Sequence, residues 1–147
     1  MFSQTTEYAL RAVVWLSESP DEPQTTIDIA AATQVPAGYL SKVLQALGRA
    51  GIVRGSRGKY GGFELTRPAA SMTILEIVNA VDPVRRIEQC PLGLASHRGT
   101  LCPLHRKMDD ALASIESSFR EVTLAELSRG AAGVRPLCET ACAGKGA

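Results

Sequence analysis

Two cysteines and a histidine carry the most reactive chemistry in this sequence. Cys90 and Cys102 bracket CPLGLASHRGTLCPLH, an irregular stretch rich in Gly, Pro, Arg and His. Cys102 stands directly before Pro103, which suits a first helical position because its missing N–H would find no partner there. Cys102 is then the N-cap and His105 the N3 residue, whose side chains converge in a capping box. A sulfur and an imidazole so placed can share one metal ion. The positive end of the helix also favours a thiolate at Cys102. Cys90 can swing in from the loop. This pattern leaves three readings open: a metal site, a thiol/disulfide switch, or two cysteines with no sensing role. An enzyme with a cysteine nucleophile and His105 as base is a fourth. The chain shows no phosphate-cradling loop and no oxyanion site, so we expect no enzyme.

A second group of residues points to nucleic acid. Leu40, Val43, Leu44 and Leu47 recur at the spacing that lays one apolar stripe along a helix. The opposite face carries Gly38, Tyr39, Ser41, Lys42 and Gln45. Gly51 closes the helix, since the C′ position takes the left-handed conformation that glycine adopts cheaply. Residues 52–54 and 63–66 read as two short strands, with Phe63 and Leu65 alternating against Glu64 and Thr66. Between them GSRGKYGG forms a basic tip with Arg57, Lys59 and Tyr60. The fold expected is mainly α: a winged helix-turn-helix with a two-stranded wing and a long C-terminal dimerisation helix. Its polar helix face fits a major groove about 12 Å wide, and its tip can reach phosphate or minor groove. We therefore expect Gly38, Tyr39, Ser41, Lys42, Gln45, Arg54, Arg57 and Lys59 to contact duplex DNA.

Charge is distributed to match. The whole chain is only +1, with 16 Lys and Arg against 15 Asp and Glu. Residues 36–67 hold six basic side chains (Lys42, Arg49, Arg54, Arg57, Lys59, Arg67) against Glu64 alone, a local +5. The remainder is ten basic against fourteen acidic, or −4. The excess lies where phosphates would sit. A winged-helix module that binds protein through the same face is the alternative, and the concentrated Lys and Arg argue against it.

Other elements must position these groups. Residues 5–17 form a helix with Tyr8, Ala9, Ala12, Val13 and Leu16 inward, followed by the loop SPDEPQ. Thr26 is a good N-cap for a short helix over 27–33. Thr73 and Glu76 form a capping box opening a helix through Val81, stopped by Asp82 and Pro83. After Pro103 comes a long helix whose Leu104, Met108, Leu112 (or Ala111), Ile115, Phe119 and Val122 step by three and four. So small a chain has little other core to cover that stripe, which points to a homodimer; the alternative, for part of the stripe, is packing back on the 74–81 helix of its own chain. Thr123 and Glu126 are a second capping box.

The expected organisation is a DNA-binding region over 1–83, a cysteine loop over 84–102, a dimerisation region over 103–129 and a flexible tail over 130–147. Cys138 and Cys142 in that tail read as free thiols. At 147 residues and 45% apolar, the chain can bury a core. No apolar run approaches the roughly 20 residues of a membrane span, and the N-terminus lacks a basic n-region. A cytoplasmic location without membrane contact is expected.

Across residues 1–128 the sequence resembles the IscR/NsrR family of dimeric winged-helix transcription regulators. The resemblance is carried by TTEYALRA, VPAGYLSKVLQALGRAGIV, RGKYGGFELTRP, TILEIVNAVD and the cysteine loop feeding a long helix. Many members carry an iron–sulfur cluster that senses cluster supply, nitric oxide, iron or redox state; others have none. The resemblance implies a regulator, in the first instance a repressor. It matches Cys90 and Cys102 to the outer two cysteines of a three-cysteine loop and His105 to an additional histidine ligand. Glu7 matches an acidic ligand contributed by the partner subunit. The middle position departs from the pattern, with Ser96 beside His97. This suits a mixed-ligand 2Fe–2S cluster on Cys90, Cys102, His105 and either Glu7 or His97 better than a three-cysteine 4Fe–4S site. Two thiolates with imidazole suit iron–sulfur or zinc, not magnesium or calcium.

Overall fold

The computed structural model describes residues 2–130 and 134–137. Six helices and one two-stranded sheet follow in the order α1 (Gln4–Ser17), α2 (Thr26–Thr33), α3 (Ala37–Arg49), β1 (Val53–Ser56), β2 (Gly62–Leu65), α4 (Ile74–Val81), α5 (Pro103–Arg120) and α6 (Leu124–Arg129). No helix among them is long and apolar enough to cross a membrane. Cys138 and Cys142 lie outside the described residues. Within the tail, Arg135 pairs with Glu18 at 2.9 Å.

The core is the meeting of apolar stripes that the sequence displays. α1 packs against α2, α3, α4 and α6, and α3 also packs on α4. Ala9, Ala12, Val13 and Leu16 of α1 meet Leu40, Val43, Leu44 and Leu47 of α3, with Ile77 and Val78 of α4 and Leu124 of α6. All are essentially inaccessible to water. Truncating one of these leucines to Ala would cost roughly 2–5 kcal/mol. Tyr8, expected inward, is only half-buried. Trp15 packs on the core, although its Nε1 finds no acceptor among the described residues.

Caps set where the helices begin. Thr25, not Thr26, caps α2, accepting from the Asp28 amide at 3.2 Å while its hydroxyl donates to the Asp28 carboxylate at 2.7 Å. The Thr73/Glu76 and Thr123/Glu126 capping boxes both form. They stand side by side. Ile74 N donates to Val122 O at 2.9 Å, and Leu124 N donates to Met72 O at 2.8 Å. This ties the far end of α5 to the start of α4.

The wing differs from expectation by a shift along the chain. Its strands pair Val53 with Leu65, Arg54 with Glu64, Gly55 with Phe63 and Ser56 with Gly62, so β1 runs to Ser56 and β2 ends at Leu65. β2 also has a third partner. Gln24 N donates to Phe63 O at 2.9 Å, and Phe63 N donates to Gln24 O at 2.7 Å, so the loop before α2 adds a one-residue strand to the wing. Gly62 permits that approach: a Cβ there would lie 2.5 Å from Gln24 O. Gly51 takes φ 74° just past α3, the left-handed C′ geometry anticipated for it.

α5 is the exception to this burial. None of its 18 residues is buried. Phe119 packs against the core and meets Phe2 with ring centroids 5.2 Å apart, so the C-terminal end of the stripe is covered by its own chain. Toward the start of the helix, Leu104 is 65% and Met108 50% exposed.

Candidate nucleic-acid interface

The polar face of α3 is open. Gly38, Tyr39, Ser41, Lys42 and Gln45 are all exposed, while Leu40, Val43, Leu44 and Leu47 behind them are buried. Lys42 and Gln45 have no side-chain partner among the described residues, so their donors and acceptors are available to a ligand. Ser41 donates its hydroxyl proton to Ala37 O at 3.2 Å and keeps its lone pairs free to accept. Tyr39 is different. Its hydroxyl lies 2.5 Å from Thr5 Oγ1 of α1, and its ring meets Tyr8 edge-on with centroids 5.3 Å apart. The sequence placed Tyr39 among residues facing DNA; the structure also makes it the joint between α1 and α3.

The wing carries its charge at the tip. Arg57, Lys59 and Tyr60 are exposed, and Lys59 Nζ stands 5.6 Å from the Tyr60 ring centroid. Arg57 and Lys59 have no carboxylate partner among the described residues. Arg54, lower on the wing, is paired across the strands with Glu64 at 2.8 Å, so its charge is answered in part within the protein. Cross-strand register places that pair, and no local signal in the sequence announced it.

The cysteine loop contains two thiol–imidazole pairs. Cys102 is the N-cap of α5, but its sulfur caps no amide. Instead it lies 3.3 Å from His105 Nδ1. Cys90 Sγ lies 3.3 Å from His97 Nδ1, which a single 3-10 turn at Ala95–His97 presents. Hydrogen bonding from His97 holds the Cys90 thiol below the usual cysteine range; partial burial opposes this, and amides of Leu92 and Leu94 assist it. Both cysteines are free thiols. Ser96 is exposed. Glu7 belongs to neither pair: it sits on α1 in an i,i+4 ion pair with Arg11. Among the described residues no three His, Cys, Asp or Glu side chains converge on one point. The donor chemistry suits a soft metal or an iron–sulfur group, and the described residues of one chain bring the donors together only in twos.

The loop is anchored on α5. Arg86 reaches Asp109 and Glu116, and the Ile87 amide donates to Asp109 at 2.8 Å. The sequence reading missed this clamp, along with the Thr5, Tyr8 and Arg11 contacts around Tyr39. The Glu7/Arg11 spacing of four was a visible signal; the Arg86 contact, 23 positions from its partner, had none.

Comparison with known proteins places this arrangement. The family model Rrf2, described as iron-dependent transcriptional regulator, matches residues 2–130. A Mycobacterium tuberculosis protein bearing the name of an HTH-type transcriptional regulator is 33% identical over 131 residues, covering 88% of this chain and 81% of that protein. An Aquifex aeolicus protein of the same designation is 28% identical, covering 86% and 90%. Among solved structures, CymR, the global cysteine regulator of B. subtilis, superposes with TM-score 0.71 at 21% identity, covering 88% of this chain and 96% of that one. T. potens IscR gives 0.72 at 20% identity, covering 88% and 86%. These two share the fold.

Proposed function

The chain belongs to the Rrf2 family of transcriptional regulators, and we propose that it acts as a homodimeric, sequence-specific DNA-binding repressor in the cytoplasm. The observation that carries this reading is the open α3 face beside an unpaired cationic wing tip. Lys42 and Gln45 offer hydrogen bonds to base edges or adjacent backbone, with Ser41 accepting and Gly38 letting the main chain approach. Arg57 and Lys59 meet phosphate, and Arg54 adds what Glu64 leaves of its charge. Dimerisation is supported by α5, which exposes Leu104 and Met108 on the stripe that a second copy would cover. Two-fold readers place paired recognition helices about 34 Å apart on successive major grooves. A gel shift against sheared genomic fragments tests the reading. A discrete set of retarded fragments supports it, and a protein that retards none, or all equally, contradicts sequence-specific recognition.

We further propose that the Cys90–Cys102 loop is the sensor. Cys90, Cys102 and His105, completed by His97 or by Glu7 of a second copy, would hold a 2Fe–2S cluster. Bound there, it would supply a redox-active centre that reacts with oxidants or nitric oxide. Zinc on the two Cys–His pairs, or a thiol switch without metal, is the second reading. The short Cys90–His97 contact favours it, because it adds a second imidazole and so a Cys2His2 set. The protein's own contribution is mechanical. The loop joins α4 to α5, so a change in it shifts each reading head relative to the twofold axis. A hundredfold change in DNA affinity needs only about 2.7 kcal/mol of such coupling. Anaerobic purification with an absorption spectrum and assays for iron, sulfide and zinc separates these readings. Stoichiometric iron and sulfide support the cluster, zinc alone the second reading, and neither leaves the thiols as the only sensing chemistry.

A further inference from the structure

Arg11, on α1, reaches α2 directly and α3 through Tyr8. Its guanidinium carbon lies 5.6 Å from the centroid of the Tyr8 ring, a cation–π distance. Its Nη1 donates to the Thr33 carbonyl at 3.3 Å, at the negative end of α2. Its Nη2 donates to the Glu7 carboxylate. Tyr8 in turn packs edge-on against Tyr39, whose hydroxyl is held by Thr5. The chain of contacts runs from an exposed carboxylate on α1, through Arg11 and Tyr8, to the first turn of α3. Residues of that first turn are the ones a recognition helix brings to the bases.

We propose that Arg11 is a positioning residue: held by Glu7, it keeps Tyr8 against Tyr39 and so sets the angle at which α3 presents its first turn to DNA. Whatever draws the Glu7 carboxylate away from Arg11 weakens DNA binding without touching α3. The proposal rests on the reading of α3 as the DNA-contacting helix, and it requires no metal. If Glu7 also serves as a ligand to a group in a second copy, ligation competes with the brace. Occupancy of the sensor is then felt at Tyr39. An exposed i,i+4 ion pair adds little to folding stability, so substitutions in it report on coupling more than on folding.

The test uses the full chain, stripped with chelator until iron and zinc fall below detection, and a duplex selected by the protein from a random-sequence library. Fluorescence anisotropy gives the affinity of Glu7→Gln, Tyr8→Leu, their combination and Lys42→Ala. Glu7→Gln and Tyr8→Leu each weaken binding about five- to tenfold, the low end of allosteric coupling. The combination is no worse than the weaker single variant, since both break one chain of contacts. Lys42→Ala, outside the brace, multiplies with Glu7→Gln. Arg11→Lys retains the charge but loses the fork, and recovers part of what Arg11→Met loses. Parental affinity for Glu7→Gln, or effects of Glu7→Gln and Tyr8→Leu that multiply, overturns the proposal. Where Lys42→Ala weakens binding and Glu7→Gln does not, the brace alone is wrong. Where Lys42→Ala has no effect, the DNA-contacting role of α3 falls, and the brace falls with it.

Discussion

Arg86 closes a two-point fork on Asp109, with Nε 2.7 Å from Oδ1 and Nη2 2.6 Å from Oδ2. This is the geometry in which a guanidinium holds a carboxylate most firmly. It bolts the segment leaving α4 onto α5 seven residues beyond Cys102, a rise of about 10 Å along the helix. Both ends of the 88–101 stretch are therefore fixed on one helix, and Cys90 and Cys102 move with it.

The clamp makes a pH prediction. The Arg86 hydrogen bonds, and then the Ile87 amide, hold the Asp109 carboxyl at about 2, below its ordinary 3.8. A depressed acid stabilises the fold above its ordinary value and loses that contribution as pH falls through the folded one. The clamp thus stays closed throughout the neutral and mildly acid range. A carboxyl-carbon NMR titration should show Asp109 protonating near pH 2; a midpoint at 3.8 would mean the fork is open in solution. Arg86→Gln should speed amide exchange at Ile87 while leaving exchange within α3 unchanged.

Cys90 should react as an activated thiol in the metal-free protein. Its His97 contact lowers the thiol below the usual cysteine range, so alkylation by iodoacetamide should reach half its limiting rate below pH 9, the ordinary value. His97→Ala should move that midpoint upward. An identical pH profile in the two proteins would show that the 3.3 Å contact is not maintained.

Replacing Leu104 and Met108 with Asp should dissociate the proposed dimer without unfolding the chain, because both side chains face outward within one chain. Sedimentation velocity should show the dimer dissociation constant raised about thirtyfold or more, the scale of a lost interface anchor. The melting of the isolated protomer should be unaffected. A variant that remains dimeric at the parental concentration would place the interface elsewhere.

Gly62→Ala should damage the wing specifically. The new methyl would sit 2.5 Å from Gln24 O, at a φ of 152°. Overpacking of this kind costs roughly 1–3 kcal/mol. Thermal melting should fall accordingly, and the Gln24 and Phe63 amides should lose exchange protection. A Gly58→Ala variant at the open tip meets no neighbour within 4 Å, although its φ of 101° adds backbone strain, and should cost less. Equal losses for the two would argue against the Gln24 pairing.

What could be read from the sequence is what local physics decides. The 3.6-residue stripe gave α3 and its buried leucines, Thr73/Glu76 and Thr123/Glu126 marked two helix starts, and Gly51 marked a helix end. Cap geometry alone brought Cys102 and His105 together. What could not be read depends on contacts distant in sequence. The strands reach further toward the tip than expected because a glycine-rich hairpin has little side-chain pattern to mark where pairing stops, and Gln24 joins Phe63 from some 40 positions away. Cys90 meets His97 because a 3-10 turn reverses the loop, and nothing in CPLGLASH distinguishes that turn from other irregular paths. Tyr39 looked like any exposed aromatic until α1 was laid across it. The same holds for Arg86 and Asp109.

The central claim is that the α3 face and the wing tip grip duplex DNA through Lys42, Arg57 and Lys59, which have no carboxylate partner among the described residues, and salt dependence tests it most directly. Affinity for the selected duplex should be measured by anisotropy from low to moderate salt for the parent, Lys42→Ala and Arg57→Ala. Each cation that meets a phosphate releases counterions, so each substitution should flatten the slope of log affinity against log salt by about one unit. Slopes identical to the parent in both variants would contradict the placement of DNA on this face.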